Sequence, residues 1–327
     1  MTLRRDFIKQ ATTAAAALSM PALVQATQFN RSIMANNPSL ESIGIQLFSL
    51  PKMLSSDFLG AMEMLQVMGY TELELFGPYT FSAKSAKDGW KGVAAMLGFD
   101  GSGFFGYDIK DLKSIISDHG MNTPACHTDL DTLLMEMGPL ADAANYLGQT
   151  YVTLPAIPDA KRVTVNDYYK MADTFNEIGA NAKKAGIKFG YHNHGYGIKP
   201  TADGIVPLEI LIENTDPELV FLEMDIFWTA AGGADPVAML EKYPDRYHML
   251  HIKDMKPKAT FSGDGSNAAQ WFALFPNMTT VGSGELGVEK IIETGLKTGV
   301  KHFFVEQDLV ANPEVALKDN IDYLKSL

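Results

Sequence analysis

Four hydrophobic runs in this 327-residue chain end in acids or imidazoles spaced two residues apart. They are Phe189-Gly190-Tyr191-His192-Asn193-His194, Val220-Phe221-Leu222-Glu223-Met224-Asp225, His248-Met249-Leu250-His251-Ile252-Lys253-Asp254 and His302-Phe303-Phe304-Val305-Glu306-Gln307. Residues i and i+2 of a strand point to one face. His192 with His194, Glu223 with Asp225, and His251 with Lys253 therefore project in pairs. If the strands are parallel neighbours in a barrel, the pairs converge at its C-terminal mouth. Imidazoles and carboxylates gathered around one point form the donor set of a divalent cation. Glu74 and His127 lie in two earlier strand-like runs and face the same mouth in the expected registers.

The elements that must hold these groups alternate between strand-like and helix-like patterns. Strands are expected at 42–48, 71–76, 123–127, 151–154, 188–192, 220–225, 247–252 and 302–306. Most follow a helical pattern closed by glycine, as in Met68-Gly69-Tyr70, His119-Gly120-Met121, Leu147-Gly148-Gln149, Ala185-Gly186-Ile187 and Thr298-Gly299-Val300. Eight such units suit an α/β fold of the (β/α)8 TIM-barrel type better than an open doubly wound sheet. Two connections are longer than a barrel needs. Residues 77–107 carry Trp90, Phe99, Phe104 and Phe105, and residues 255–281 carry Phe261, Trp271, Phe272 and Phe275. Their aromatics either stack on sugar rings or pack the loops against the barrel. Gly282-Ser283-Gly284-Glu285-Leu286-Gly287 matches a dinucleotide-binding pattern, but no convincing buried strand precedes it. It is better explained as a glycine-rich turn ahead of the last helix.

The N-terminal Leu3-Arg4-Arg5-Asp6-Phe7-Ile8-Lys9 is a twin-arginine pattern, with an Ala-rich apolar stretch behind it and small residues at Val24-Gln25-Ala26. Cleavage after Ala26 is expected, which leaves residues 27–327 as one catalytic TIM-barrel domain in the periplasm or outside the cell. No membrane attachment is expected after cleavage. Cys126 is the sole cysteine, which excludes an internal disulfide and a cysteine-rich zinc site. A formal net charge of -12 argues against nucleic acid as a partner.

Taken in order, several short patterns resemble the sugar phosphate isomerase/epimerase superfamily built on the xylose isomerase-like barrel. They are Gly69-Tyr70-Thr71-Glu72-Leu73-Glu74-Leu75, Gly190-Tyr191-His192-Asn193-His194, Asp225 with Trp228 and Gly232-Gly233-Ala234-Asp235-Pro236, His251-Ile252-Lys253-Asp254, Val281-Gly282-Ser283-Gly284 and Val305-Glu306. The resemblance spans nearly all of the mature chain. It implies one divalent cation (Mn, Zn, Co or Fe), with Asp225, His251 and Glu306 matching the ligands on strands six, seven and eight. The strand-five ligand is usually a glutamate in the epimerases. His192 occupies or adjoins that position here, which puts their two-carboxylate proton shuttle in doubt. Barrels of this group often pair as homodimers.

A divalent ion bridging a ketone and its neighbouring hydroxyl stabilises the enediolate formed when the α-proton leaves. Glu306, Glu74, His192 and His194 are the candidate bases, with Glu306, His192 and Glu74 the expected catalytic set. His127, His194, Lys253 and Trp228 are the expected substrate contacts, Lys253 holding a carbonyl or hydroxyl oxygen. The expected function is a metal-dependent isomerase or epimerase acting on a non-phosphorylated carbohydrate. A lyase or dehydratase on a keto-sugar or keto-glycoside, of the inosose dehydratase kind, is the second expectation, and a non-catalytic carbohydrate-binding barrel the third. An endonuclease IV-like nuclease would need more ligands and a basic face.

Overall fold

The hydrophobic runs become parallel strands buried on both faces, as expected when helices cover a sheet from outside and side chains fill it from within. A computed structural model describes residues 40–308 and 310–327, so the twin-arginine stretch and the cleavage position lie outside the described residues. The barrel strands are β1 (Gly44–Gln46), β2 (Glu72–Phe76), β3 (Asn122–His127), β4 (Tyr151–Leu154), β5 (Lys188–His192), β6 (Val220–Asp225), β7 (Tyr247–Ile252) and β8 (His302–Val305). Each pairs with its sequence neighbours, and β8 closes onto β1. The fold is therefore the expected (β/α)8 barrel, whose closure leaves no free strand edge.

Most strand limits agree with the sequence reading. The exception is β1, which is shorter than 42–48 because Leu47–Ser49 turns into a 3-10 helix, with the Gln46 side chain accepting a hydrogen bond from the Phe48 amide. The helix Phe58–Met68 begins at Asp57, whose carboxylate accepts the Gly60 amide at 2.9 Å. It ends at Gly69, whose φ of 95° lies in the left-handed region where glycine carries no Cβ penalty.

Inside the barrel the two-residue repeat sorts apolar from polar. Ala125, Tyr151, Phe221, Met249 and Phe304 form one buried cluster. Each stands two residues before an inward polar group: His127, Thr153, Glu223, His251 and Glu306 respectively. An apolar plug thus supports a polar layer on its C-terminal side. Gly44 and Gly190 make room in the plug, since a Cβ on Gly44 would lie 2.4 Å from the Phe304 ring and one on Gly190 2.7 Å from Thr153 Oγ1. Toward the N-terminal end, His302 pairs with Glu72 at 2.9 Å and His248 with the Tyr151 hydroxyl at 2.9 Å, the structural roles expected of both histidines.

The two long connections behave differently. The first contains the helix Lys84–Leu97 and contributes Trp90 and Val93 to the cavity over the barrel mouth. The second folds back, with Met278–Thr279 pairing antiparallel to Asp254–Met255. In the glycine-rich turn three amides are spent on a carboxylate. Gly282 and Gly284 each donate to Asp254 Oδ2 at 3.0 Å, and Leu286 donates to Oδ1 at 3.2 Å. A Cβ on Gly284 would fall 2.1 Å from that carboxylate, which is why glycine stands there.

Candidate functional site

The registers bring the chemistry-bearing residues to one level. His192 sits opposite Glu223, Asp225 opposite His251, and His251 opposite Phe304, two residues before Glu306. His251 is the centre of the group and is fully buried. Its Nδ1 lies 2.7 Å from Glu306 Oε2, and its Nε2 lies 2.6 Å from Glu74 Oε2 and 3.5 Å from Glu223 Oε1. Glu223 also meets His127 Nε2 at 2.8 Å and His192 Nδ1 at 3.0 Å through Oε2. The other ring nitrogen of His192 is 3.7 Å from Asp225 Oδ2.

Lys253 points the same way as His251, two residues on, and its ammonium is almost wholly buried. It contacts Asp225 Oδ2 at 2.9 Å, Glu306 Oε2 at 2.6 Å and Asp308 Oδ2 at 2.6 Å. Asp225 is fixed from its other oxygen, since Oδ1 caps the helix Ile226–Ala231 by accepting the Trp228 amide at 2.9 Å. Gln46 donates to Glu74 Oε2 at 2.7 Å from the neighbouring strand.

Burial and charge set the protonation states. Burial pushes Glu74 up, and the nearby Glu223 charge adds to this. Burial also acts against ionised Glu223, but His251 and His127 outweigh it and hold that carboxyl well below its usual range. The same balance holds Glu306 low through Lys253 and His251. Burial lowers His192 to about 4, helped by His251, so its imidazole is neutral at pH 7. His194 is likewise driven well below its ordinary value by burial and by His192. Burial opposes charge on His251, yet Glu223, Glu306 and Glu74 raise it well above the ordinary value. Asp308 is pushed up to about 6 by burial and by Glu306.

The donor chemistry fits a divalent cation. Glu74, Glu223, Asp225 and Glu306 are buried, with Lys253 the buried ammonium among them. Oε1 of Glu74 and Oε1 of Glu223 are buried acceptors with no hydrogen-bond donor. Orphaned acceptors buried beside imidazoles are what a bound cation would satisfy. Two donor groupings share His251: Asp225, His251 and Glu306; and His127, His192, Glu223 and His251. Three of the four expected ligands fall in the first. His192 is in the second, with its Nε2 facing Asp225, so the four gather around one volume.

A cavity of about 370 Å³ opens above this layer. His127, His192, His194 and Glu306 line it, as does Asp308. Glu74 does not; it lies beneath, fully buried, and touches His127 and His251. Lys253 and Trp228 also stand behind the lining. Trp228 stacks on Phe261 with centroids 5.8 Å apart, and the Lys253 ammonium lies 5.7 Å from its ring centre. Asp308 and Gln46 were missed by the sequence reading. Asp308 stands two residues past Glu306 at the same spacing, but beyond the end of the strand. Gln46 carries no such signal.

The sequence pattern described as xylose isomerase-like TIM barrel matches residues 82–327. Among curated proteins, inosose dehydratase from Bacillus cereus (strain AH820) is 31% identical over 177 residues, covering 52% of this chain and 58% of that one. The chain thus spans little more than half the length of that relative. Among solved structures, a sugar phosphate isomerase/epimerase from Parabacteroides distasonis ATCC 8503 superposes with a TM-score of 0.67 at 24% identity, over 89% of this chain and 96% of that one. The IOLI protein with a binding zinc atom superposes with a TM-score of 0.60 at 14% identity, over 87% and 95%. At these identities the structural likeness establishes the fold alone, whereas the sequence pattern covers three quarters of the chain. The chain belongs to the xylose isomerase-like TIM barrel family.

Proposed function

We propose that the protein is a divalent-metal-dependent isomerase or epimerase that moves a proton next to the carbonyl of a non-phosphorylated keto-sugar. The observation that carries this reading is the set of buried carboxylates around His251, opening onto a cavity whose lining contains no Lys or Arg among the described residues. A phosphorylated substrate would need such cations. Asp225, His251 and Glu306 would hold the ion, with His192 completing the set. When bound, the ion supplies the positive charge that makes an α-proton acidic and an enediolate affordable in a dry site.

The chain's own residues then divide the remaining work. Glu223 accepts from His192 and His127 and so fixes both ring orientations. Lys253 holds Asp225, Glu306 and Asp308 in one arrangement. His194 lines the cavity with its imidazole held neutral by burial, and accepts the substrate proton there. Asp308, also on the cavity, is placed to return one.

Elimination is the second reading. It is favoured by the similarity to inosose dehydratase and by Asp308, whose carboxyl is pushed up to about 6 and suits an acid that protonates a departing hydroxyl. The test is incubation of the metal-loaded protein with keto-sugars and 3-keto-glycosides in D2O, followed by proton NMR. Deuterium at the α-carbon together with an isomer or epimer is expected. A dehydrated product would favour the second reading, and no exchange with any member of the panel would contradict both. We further propose export through the twin-arginine route to the periplasm or beyond, on the strength of the N-terminal pattern.

A further inference from the structure

We propose that one wall of the cavity is a subsite for an apolar, ring-bearing aglycone, so that the carbohydrate this site takes is a glycoside. The inference deepens the functional reading above and rests on its assignment of the cavity as the substrate site. The wall is built by the ends of four adjacent strands, β1 to β4, and the connections that follow them. Phe48, Phe76, Trp90, Val93, Leu130 and Leu154 present carbon to the cavity. Pro78, Pro155 and Pro158 lie among them, at positions where another residue would offer a backbone N–H. The groups able to bond hydroxyls are His192, His194, Glu306 and Asp308 from the ends of β5 and β8, with His127 of β3 beside them and bonded to Glu223.

A free monosaccharide carries hydroxyls around its whole rim, and each one pressed against carbon without a partner loses its bonds to water. The apolar wall has little to give in return. The Asp129 carboxylate, the acid on this side, is spent as a helix cap on the Thr132 amide (2.8 Å) and hydroxyl (2.5 Å). Among the described residues that line the cavity, Thr128 offers a buried hydroxyl without a partner. Stacking of a sugar face does not account for the wall either, because that requires one flat exposed ring. Here Phe48 meets Phe76 edge to face at 5.3 Å, and Phe76 tilts against Trp90 at 6.0 Å, so the aromatics wrap the space. A volume of about 370 Å³ is within the range that encloses a ligand larger than a solvent molecule or ion, with an apolar lining and a few polar anchors. An amphipathic ligand, with its sugar on the histidine and carboxylate side and a hydrophobic group on the wall, satisfies both halves.

The test compares phenyl β-D-glucopyranoside with methyl β-D-glucopyranoside by calorimetry on the full chain, with and without added Mn²⁺. Neither glycoside carries a ketone, so their binding is independent of the proton-transfer chemistry. Phenyl glucoside is expected to bind at least about tenfold more tightly, from burial of its ring. Val93→Asp places a carboxylate on the wall at a position already 38% exposed, where the fold tolerates charge. It is expected to abolish the preference by weakening phenyl glucoside binding far more than methyl glucoside binding. Equal binding of the two glycosides, no measurable binding of the phenyl glucoside, or an equal loss of both in Val93→Asp would overturn the proposal. A phenyl preference without deuterium exchange into any keto-sugar would remove the proposed reaction and leave the subsite standing.

Discussion

Lys253 shows how much of this site depends on single side chains. Its ammonium touches three carboxylates and is shielded from water by Trp228. Replacing one partner in a buried ionic group leaves the others uncompensated. Lys253→Met is therefore expected to destabilise the metal-free protein by about 3–5 kcal/mol, measured by urea unfolding in the presence of a chelator. Added Zn²⁺ or Mn²⁺ should restore part of that loss by neutralising Asp225 and Glu306; an unchanged midpoint would show that the carboxylates are not charged in the fold. At this scale the sequence was legible wherever two polar groups followed each other at strand spacing. His251 with Lys253, and Glu223 with Asp225, were found that way. Glu306 and Asp308 obey the same rule, but the second lies past the strand. Glu74 was placed at the mouth by register, yet neighbouring His127 and His251 cover it, and no spacing rule reports what covers a residue.

The elements were more legible than the residues, because burial on both faces writes a parallel strand as a continuous apolar run. Seven of the eight strands fall within one residue of their expected limits. The first does not, since Gln46 bends its own chain by capping Phe48, a local contact that hydrophobic pattern cannot carry. The second long connection is held by Asp254, which gathers three amides of the glycine-rich turn. Within that connection Trp271 packs against His194 with ring centroids 5.2 Å apart, so the connection bears on the site. Asp254→Ala would leave those amides without an acceptor, and a loss of about 2–4 kcal/mol is expected from hydrogen bonds to a charged group. Thermal unfolding measures the loss, and protease cleavage within residues 255–281 should rise with it. A stable variant with an unchanged cleavage pattern would mean that the turn is held by its packing alone.

The whole molecule combines a closed barrel, a formal net charge of -12 and an N-terminal arginine pair. Among the described residues no helix is long and apolar enough to cross a membrane. The proposed export of a folded, cofactor-loaded protein through the arginine pair has a direct test. Changing Arg4 and Arg5 together to Lys should hold the full-length precursor in the cytoplasm of its host, as seen by fractionation and immunoblot. Unchanged export of the double variant would refute the twin-arginine route.

The account centres on His251, which both donor groupings share and which three carboxylates surround. The most direct measurement is the metal content of protein purified from its native host, by elemental mass spectrometry, beside folded His251→Ala. About one Mn, Zn, Co or Fe per chain is expected, lost in the variant while its circular dichroism stays native. A wild-type protein that holds no such metal and gains no thermal stability from any of the four would contradict the account.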